Sequence, residues 1–327
     1  MTWMEVSLEM SHEAVDWVRT LLAQTDTMDH FRLVSPEAIA PDDAIASLDP
    51  ADKPSDWDLV AFLYLPNDLQ TRPRLEAIDD LLAPLRRLGL VSALHTAVVA
   101  AKPDLATEAT SPAHEIGEKF TVRSPEMGDR PTTDDRIALQ LNSSASFGSG
   151  FHPTTILNLR LLERHVMPAM STLDFGTGSG ILSIAMAKLG AQVVALDNDA
   201  IAVAAAQDAV QHNDVADQVT VLQGSLGCGN DLGNWMGGES SKTGADLTAD
   251  ASFDLIAANV PARILIVLAE TFRQILDQPS DQPGLLSVSG FTIDAEADLM
   301  NAFTQAGFQA IDREQMEEWV GLLFRLT

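Results

Sequence analysis

The sequence predicts an α/β protein, with a parallel sheet covered by helices in its C-terminal half and a smaller α+β domain before it. From residue 171 onward, apolar strands alternate with helical segments, which is typical of a parallel sheet with helices on both faces. The first hundred residues instead follow the order strand, helix, strand, strand, helix, strand. Residues 102–118 lie between these two patterns and have the composition of a linker.

The size and composition of the chain fit two packed domains. It has 327 residues, of which 46% are hydrophobic. Its apolar runs, such as 264–269, are far shorter than the roughly 20 residues of a membrane span, and the N-terminus does not resemble a signal peptide. The single cysteine, Cys228, has no partner for a disulfide and no metal-ligand neighbours. We therefore expect a cytoplasmic protein without a membrane span or a metal site.

The N-terminal domain, residues 1–101, is predicted to have a split β-α-β, ferredoxin-like fold. Its second helix should stop at Gly89, and Pro84 should end or kink it earlier. The predicted elements are a strand at 4–10, a helix at 11–24, strands at 31–34 and 58–65, a helix from 71 and a strand at 90–99.

The second domain, residues 119–327, contains the predicted parallel sheet. The segment 227–252 interrupts it, and because this segment is polar and rich in glycine we predict a mobile insertion there. A lid over the site is the alternative. A helix carrying Ile156, Leu159 and Leu162 is predicted after the strand at 136–141. The predicted strands are 119–123, 136–141, 172–175, 192–196, 218–222, 253–258, 284–289 and 319–326.

A glycine-rich turn follows the strand at 172–175. Gly176, Gly178 and Gly180 lie between this strand and the next helix, where small residues let the backbone approach a ligand closely. The N–H groups of the helix N-terminus could bind the carboxylate of S-adenosylmethionine. The turn lacks the third glycine of a dinucleotide fingerprint, which favours S-adenosylmethionine over NAD as the cofactor.

Polar residues also end the next two strands. Asp197 follows the strand at 192–196, where a carboxylate can accept hydrogen bonds from both ribose hydroxyls. Asp199 is predicted to be the N-cap of the following helix. Ser225, with its neighbours Gln223 and Gly224, is a candidate for adenine contacts, although a plain turn explains these three residues almost as well.

Asn259 is the candidate catalytic residue. It follows the strand at 253–258, at the carboxyl edge where ligands bind in open α/β sheets. Its carboxamide oxygen could accept a hydrogen bond from an amine and aim the nitrogen lone pair at a methyl group, a reaction in which alignment matters most. Asparagine is also a common helix N-cap, and the two roles are compatible here.

Six segments together resemble the bacterial methyltransferases of ribosomal protein L11. They are FGSGFHPTT at 147–155, DFGTGSGIL at 174–182, LDND at 196–199, the asparagine after 253–258, GLLSVSG at 284–290 and EEW at 317–319. The match covers 119–327 well, whereas the N-terminal domain matches in layout more than in residues. The resemblance implies a Rossmann-like class I methyltransferase sheet and an N-terminal substrate-recognition domain on a flexible linker.

The resemblance also implies site residues and a substrate. It adds Thr155 to the donor site and maps Gly176, Asp197 and Asn259 onto the family's binding positions. The implied acceptors are lysine side chains, the N-terminal amine, or both, of ribosomal protein L11. Burial beside a positive sulfonium would lower the pKa of such an amine, so no dedicated base is required. His152 is a candidate base, but we favour a structural or donor-binding role at this helix start.

Three departures from the family leave the substrate open. Residues 102–117 contain no tryptophan, the insertion at 227–252 is long, and Pro261 stands where leucine is more usual. Asn-x-Pro-x also resembles the motif of methyltransferases acting on planar amides or aromatic amines, although Ala262 replaces their stacking aromatic residue. A donor-binding sensor or assembly factor without catalysis is the remaining alternative.

The charge of the chain constrains its partners. It contains 47 acidic and 20 basic side chains, for a formal net charge of −27. The electrostatic field of this negative charge repels phosphate backbones and attracts cationic partners. We therefore expect a basic protein substrate and no direct binding of nucleic acid. Solubility alone explains the acidic excess equally well.

Overall fold

The structure, a computed structural model, describes residues 2–22, 25, 31–36, 57–101, 113–123, 136–141, 150–226, 245–247, 252–276 and 283–327. The chain divides into two compact units, one comprising 1–114 and 123–131 and the other 115–122 and 132–327. Within the described ranges, no helix is both long and apolar enough to cross a membrane.

The first unit contains the predicted split β-α-β arrangement. Its four strands form one antiparallel sheet in the order β2-β3-β1-β4, as in ferredoxin-like folds. Helix α2 is amphipathic and buries Ile78, Leu82 and Leu85. The elements are β1 (Trp3–Met10), α1 (Ala14–Leu22), β2 (Phe31–Val34), β3 (Leu59–Pro66), α2 (Thr71–Arg87) and β4 (His95–Val99).

Two boundaries in this unit differ from the prediction. Pro84 does not end α2, which continues to Arg87. A proline lacks an N–H group, but its carbonyl still accepts a bond from the backbone N–H of Leu88 at 3.3 Å, so the last turn persists. The strand predicted from residue 90 begins at His95, and Val91 forms only an isolated bridge with Met10.

The rest of the chain adds eleven strands and five helices within the described residues. The bounds are β5 (His114–Ile116), β6 (Phe120–Arg123), β7 (Ile137–Gln140), α3 (Pro153–His165), β8 (Ser171–Phe175), α4 (Ile181–Lys188), β9 (Gln192–Asp197), α5 (Ala200–His212), β10 (Val219–Leu226), β11 (Ala245–Leu247), β12 (Leu255–Asn259), α6 (Ala262–Leu276), β13 (Leu285–Thr292), α7 (Ile293–Gln305), β14 (Phe308–Met316) and β15 (Trp319–Leu326).

The large sheet has the order β11-β10-β9-β8-β12-β13-β15-β14. The strands from β11 to β13 are parallel, whereas β15 runs antiparallel to both of its neighbours. The strand order reverses between β8 and β12, which is the point where ligands bind in open α/β sheets. The fold class predicted from the sequence is confirmed, although β14 was not predicted.

Helices cover both faces of this sheet. The core on one face includes residues of α3, α4 and α5, and the core on the other includes residues of α6 and α7. Neighbouring residues of one strand alternate between the two cores, as Ile256 and Ala257 of β12 show. The apolar runs in the sequence therefore correspond to strands buried on both faces.

Part of the predicted insertion belongs to the sheet. Residues 245–247 form β11, which pairs in parallel with Gly224, Ser225 and Leu226 of β10. No strand was predicted within 227–252, and this pairing adds one at the edge of the sheet. The predicted mobility of the remainder, with Trp235 and Cys228, falls outside the described residues.

Candidate active site

The glycine turn after β8 has the conformation that its residues predict. Gly176, Gly178 and Gly180 have positive φ angles of 74°, 54° and 83°, which side-chain-bearing residues rarely adopt. The N–H group of Gly176 donates to the carbonyl of Leu196 at 2.9 Å, which ties the turn to β9. A Cβ at Gly180 would lie 3.2 Å from the Cα of Ala206, so α5 packs closely here.

Asp197 joins this turn to the start of α5. Its Oδ2 accepts a hydrogen bond from the Gly178 N–H at 2.9 Å, and its Oδ1 accepts one from the Asp199 N–H at 3.0 Å. Burial raises the pKa of Asp197, although these backbone bonds act in the opposite direction. Each carboxylate oxygen can accept a further hydrogen bond, so the residue fits a ribose with two hydroxyl groups.

Asp199 has the structural role that the sequence predicted. Its side chain accepts a hydrogen bond from the Ile201 N–H at 2.9 Å and caps α5.

Asp174 is a buried carboxylate that sequence reasoning missed. Its Oδ2 accepts hydrogen bonds from the Thr177 hydroxyl at 2.7 Å and from the N–H and hydroxyl of Ser183 at 3.0 and 2.6 Å. Burial raises its pKa to about 6, against the lowering effect of these bonds. The available signal was the charged residue inside the apolar strand that leads into the glycine turn.

The N-terminus of α3 lies on the other side of the switch point. His152 is its N-cap, because Nδ1 accepts a hydrogen bond from the Thr154 N–H at 3.2 Å. The His152 ring also packs edge-on against Trp319, with 4.8 Å between ring centroids. This geometry supports the structural role that we favoured for His152.

Asn259 ends β12 beside this helix. Its Nδ2 donates to the Thr155 hydroxyl at 3.3 Å, and Thr155 is fully buried. Its Oδ1 is buried and has no hydrogen-bond partner among the described residues. Since α6 begins only at Ala262, the expectation that Asn259 caps this helix is wrong. The carboxamide oxygen therefore accepts a hydrogen bond neither from α6 nor from any other described residue.

The backbone around Asn259 depends on a close approach of β13. Gly290 has a φ of 97°, and a Cβ at this position would lie 2.6 Å from the Val260 carbonyl oxygen. The Val260 N–H donates to the Ser289 carbonyl at 3.2 Å. Ser289 is also the residue of β13 directly opposite Asn259. Gly290 therefore lets the chain turn tightly after Asn259.

A second buried amide fixes α3 on the sheet. Asn158 donates from Nδ2 to the Ser289 hydroxyl at 2.9 Å and accepts at Oδ1 from the Ser287 hydroxyl at 2.8 Å. All three side chains are fully buried. Because α3 and β13 are joined in this way, the position of Thr155 relative to Asn259 is defined.

The described hydrogen bonds bring the predicted site residues together in two pairs, Gly178 with Asp197 and Thr155 with Asn259. Ser225 belongs to neither pair. It lies within β10, which is longer than predicted, and it is paired in register with Asp246 of β11. The binding roles of all these residues stay predictions.

Comparisons with known proteins identify the family. The family model described as "Ribosomal protein L11 methyltransferase (PrmA)" matches residues 2–327. The chain is similar to the ribosomal protein L11 methyltransferases of Chloroflexus aurantiacus, at 38% identity over 99% of this chain and 98% of the relative, and of Herpetosiphon aurantiacus, at 32% identity over 99% of each. A crystal structure of ribosomal protein L11 methylase from Lactobacillus delbrueckii subsp. bulgaricus is similar with a TM-score of 0.55 and 26% identity, over 66% of this chain and 99% of that one. The chain therefore belongs to the ribosomal protein L11 methyltransferase family, as its motifs predicted.

Proposed function

We propose that this chain transfers methyl groups from S-adenosylmethionine to amine nitrogens of ribosomal protein L11, on lysine side chains, the N-terminal amine, or both. The observation that carries this proposal is the Oδ1 of Asn259, a buried hydrogen-bond acceptor without a described partner. It lies at the carboxyl edge of the sheet, beside the topological switch point. Membership of the family supports the same reaction and substrate. We propose a cytoplasmic location on the same ground, because the proposed substrate is a ribosomal protein.

The residues around the glycine turn fit the proposed donor. Gly176, Gly178 and Gly180 keep the turn free of side chains, and the N-terminus of α4 follows it. Asp197 would accept hydrogen bonds from the ribose hydroxyls with the lone pairs that its backbone partners leave free. Ser225 would contact the adenine. When bound, S-adenosylmethionine supplies an electrophilic methyl group on a sulfonium.

Asn259 would position the acceptor. A neutral amine can donate one N–H to Oδ1, and this bond fixes the direction of the nitrogen lone pair. Thr155 holds the other end of the carboxamide, so the amide cannot rotate without losing that bond. An ammonium ion has no free lone pair, and burial of the amine in a partly apolar site favours the neutral form. The proposed mechanism therefore contains no general base.

The two units would have different functions, substrate recognition and donor binding. We assign substrate recognition to residues 1–101, the linker to 102–118 and donor binding to 119–327. The ferredoxin-like sheet of the first unit and the Rossmann-like sheet of the second support this division. The net charge of −27 favours a basic protein as substrate.

The test is a methyl-transfer assay with defined components. Purified chain is incubated with isotopically labelled S-adenosylmethionine and unmethylated L11, and mass spectrometry locates the label. We expect label on lysine or N-terminal nitrogens of L11, and labelling slower by on the order of 100-fold when Asn259→Ala replaces the wild type. Donor binding without label on L11 would contradict the proposal and favour the sensor or the planar-amide alternative.

A further inference from the structure

Trp319 carries a buried hydrogen-bond donor that the proposed reaction does not use. Its indole Nε1 is buried and has no hydrogen-bond partner among the described residues. Buried polar groups in folded proteins are nearly always paired, and an unpaired one calls for an explanation. A ligand atom that completes the bond is one explanation, provided that the indole lies where a ligand binds.

The strand register places Trp319 at the ligand-binding edge of the sheet. Trp319 begins β15 and lies opposite Thr292, the last residue of β13. Since β13 runs parallel to β12, this is the same edge at which Asn259 ends its strand.

The side chain of Trp319 also lies on the face that α3 covers. A Cβ at Gly321, two residues further along β15, would lie 3.1 Å from the Cβ of Leu157 in α3. The ring contact with His152, the N-cap of α3, agrees with this placement. One turn further along α3, Thr155 contacts Asn259.

The hairpin before Trp319 holds the indole in place. Glu317 adopts a left-handed conformation with a φ of 53°, and its carbonyl accepts a hydrogen bond from the Gln315 side chain at 2.9 Å. The Glu318 carbonyl accepts one from the Ile293 N–H at 2.8 Å. These bonds fix the backbone at the start of β15, and the ring of His152 packs against the indole itself.

We infer that the indole N–H of Trp319 donates a hydrogen bond to an oxygen atom of a ligand at this edge, a carboxylate or a peptide carbonyl. The carboxylate would come from the methionine part of the donor, and the carbonyl from the segment of L11 that presents the amine. The inference rests on the proposed function. Asn259 Oδ1 and Trp319 Nε1 are then an acceptor and a donor that no described residue pairs, and together they match an amine and an oxygen atom of the ligands.

The test replaces Trp319 by phenylalanine, which keeps an aromatic ring but removes the N–H donor together with part of the ring volume. Calorimetry measures the Kd of S-adenosylhomocysteine, which retains the carboxylate, and the Kd of L11 for the protein loaded with that compound. The melting temperature of the ligand-free protein is measured in parallel. Trp57→Phe is the matched control for stability and for the S-adenosylhomocysteine Kd, because the Trp57 N–H is also buried without a partner among the described residues, but in the other unit.

Trp319→Phe should lower the melting temperature no more than Trp57→Phe does, because both variants lose the same ring volume and in neither does a described protein partner lose a hydrogen bond. If the ligand oxygen is the carboxylate, the Kd of S-adenosylhomocysteine should rise about tenfold or more, since the bond is charge-assisted. If it is a peptide carbonyl, that Kd should stay constant and the Kd of L11 should rise about three- to tenfold.

Unchanged affinity for both ligands would overturn the inference, and so would weaker binding accompanied by a fall in melting temperature larger than that of Trp57→Phe. If wild-type protein does not bind L11 at all, the proposed function fails. In that case the Kd of S-adenosylhomocysteine is the only test of Trp319. If this Kd is the same for Trp319→Phe and for the wild type, the inference about Trp319 is overturned.

Discussion

Two parts of the sheet edge differ in how their polar groups are satisfied. We call them the glycine-turn edge, formed by Asp174, Gly176–Gly180 and Asp197, and the asparagine edge, formed by Asn259, Gly290 and Trp319. At the first, both oxygens of Asp197 and one oxygen of Asp174 accept hydrogen bonds from the chain itself. At the second, Asn259 Oδ1 and Trp319 Nε1 are buried without partners among the described residues.

This difference indicates two kinds of binding surface. The glycine-turn edge has most of its shape fixed by internal bonds, which lowers the ordering cost of binding a ligand. The asparagine edge has one acceptor and one donor without partners among the described residues, and under the proposed function a ligand would complete both. Asp174 Oδ1 is an exception at the glycine-turn edge, because it is buried and has no hydrogen-bond partner among the described residues.

The largest effect should come from Gly290→Ala, which tests the backbone of the asparagine edge. The new Cβ would lie 2.6 Å from the Val260 carbonyl oxygen at a left-handed φ. We expect a loss of about 2–5 kcal/mol in the free energy of unfolding, measured with urea, from backbone strain and overpacking together.

Gly307→Ala is the control for the strain alone. Its φ is 90°, but a Cβ there would meet only the Cδ of Arg273 at 4.0 Å. It should lose about 1–2 kcal/mol. Equal losses for Gly290 and Gly307 would show that the close approach to Val260 contributes nothing.

Asn259→Ala and Asn259→Asp test the free acceptor directly. Because Asn259 does not cap α6, alanine should change the free energy of unfolding little, by about 1 kcal/mol for the bond to Thr155. Transfer to L11 should slow on the order of 100-fold with alanine, since one preorganised polar group is lost. Aspartate should also slow it, because a carboxylate favours the charged amine.

The donor Kd of both Asn259 variants should remain near the wild-type value, and Asn301→Ala on the exposed face of α7 is the control. If an Asn259 variant binds the donor much more weakly but transfers methyl groups at the wild-type rate when saturated, then Asn259 binds the donor and does not position the acceptor.

Asp197→Ala and Asp199→Ala separate ligand binding from capping at the glycine-turn edge. Asp197→Ala should weaken donor binding by about 1–3 kcal/mol in calorimetry, since a carboxylate that accepts from the ribose is lost. Asp199→Ala should lower the free energy of unfolding by about 0.5–2 kcal/mol through loss of the cap and leave the donor Kd unchanged. Equal donor affinities in the two variants would mean that Asp197 only braces the turn.

The last prediction concerns the pH dependence of stability and the carboxyl group of Asp174. Its pKa of about 6 in the folded protein exceeds the ordinary value of 3.8, so between these values the folded state binds more protons than the unfolded state. The group therefore makes the free energy of unfolding fall as pH rises from 3.8 to about 6, by at most about 1.4 kcal/mol per pH unit. Asp174→Asn should remove this contribution.

Urea unfolding of both proteins across this pH range measures the difference in slope. Parallel curves for wild type and Asp174→Asn would show that the carboxyl group titrates normally.

Local patterns in the sequence were sufficient for much of this protein. Apolar runs bounded by turn residues gave the strands β2, β8 and β15 within one or two residues, because burial on both faces leaves a continuous apolar signature. The glycines at 176, 178 and 180 follow from left-handed backbone conformations that few other residues adopt, and the cap at Asp199 follows from a short side chain that accepts from a backbone N–H of the first helical turn. The motifs identified the family, which the comparisons confirm.

Tertiary structure decided what depends on residues distant in sequence. Strand β14 pairs with β15, and the edge strand β11 pairs with β10. The sequence of β14 is too polar, and that of β11 too short, to predict a strand without these partners. The side chain of Asn259 is held by Thr155, 104 residues away, and not by the adjacent helix. Trp319 reaches the site because β15 is inserted antiparallel beside β13. Propensity and periodicity act over a few residues, whereas the pairing of buried polar groups is fixed only when the whole sheet has formed.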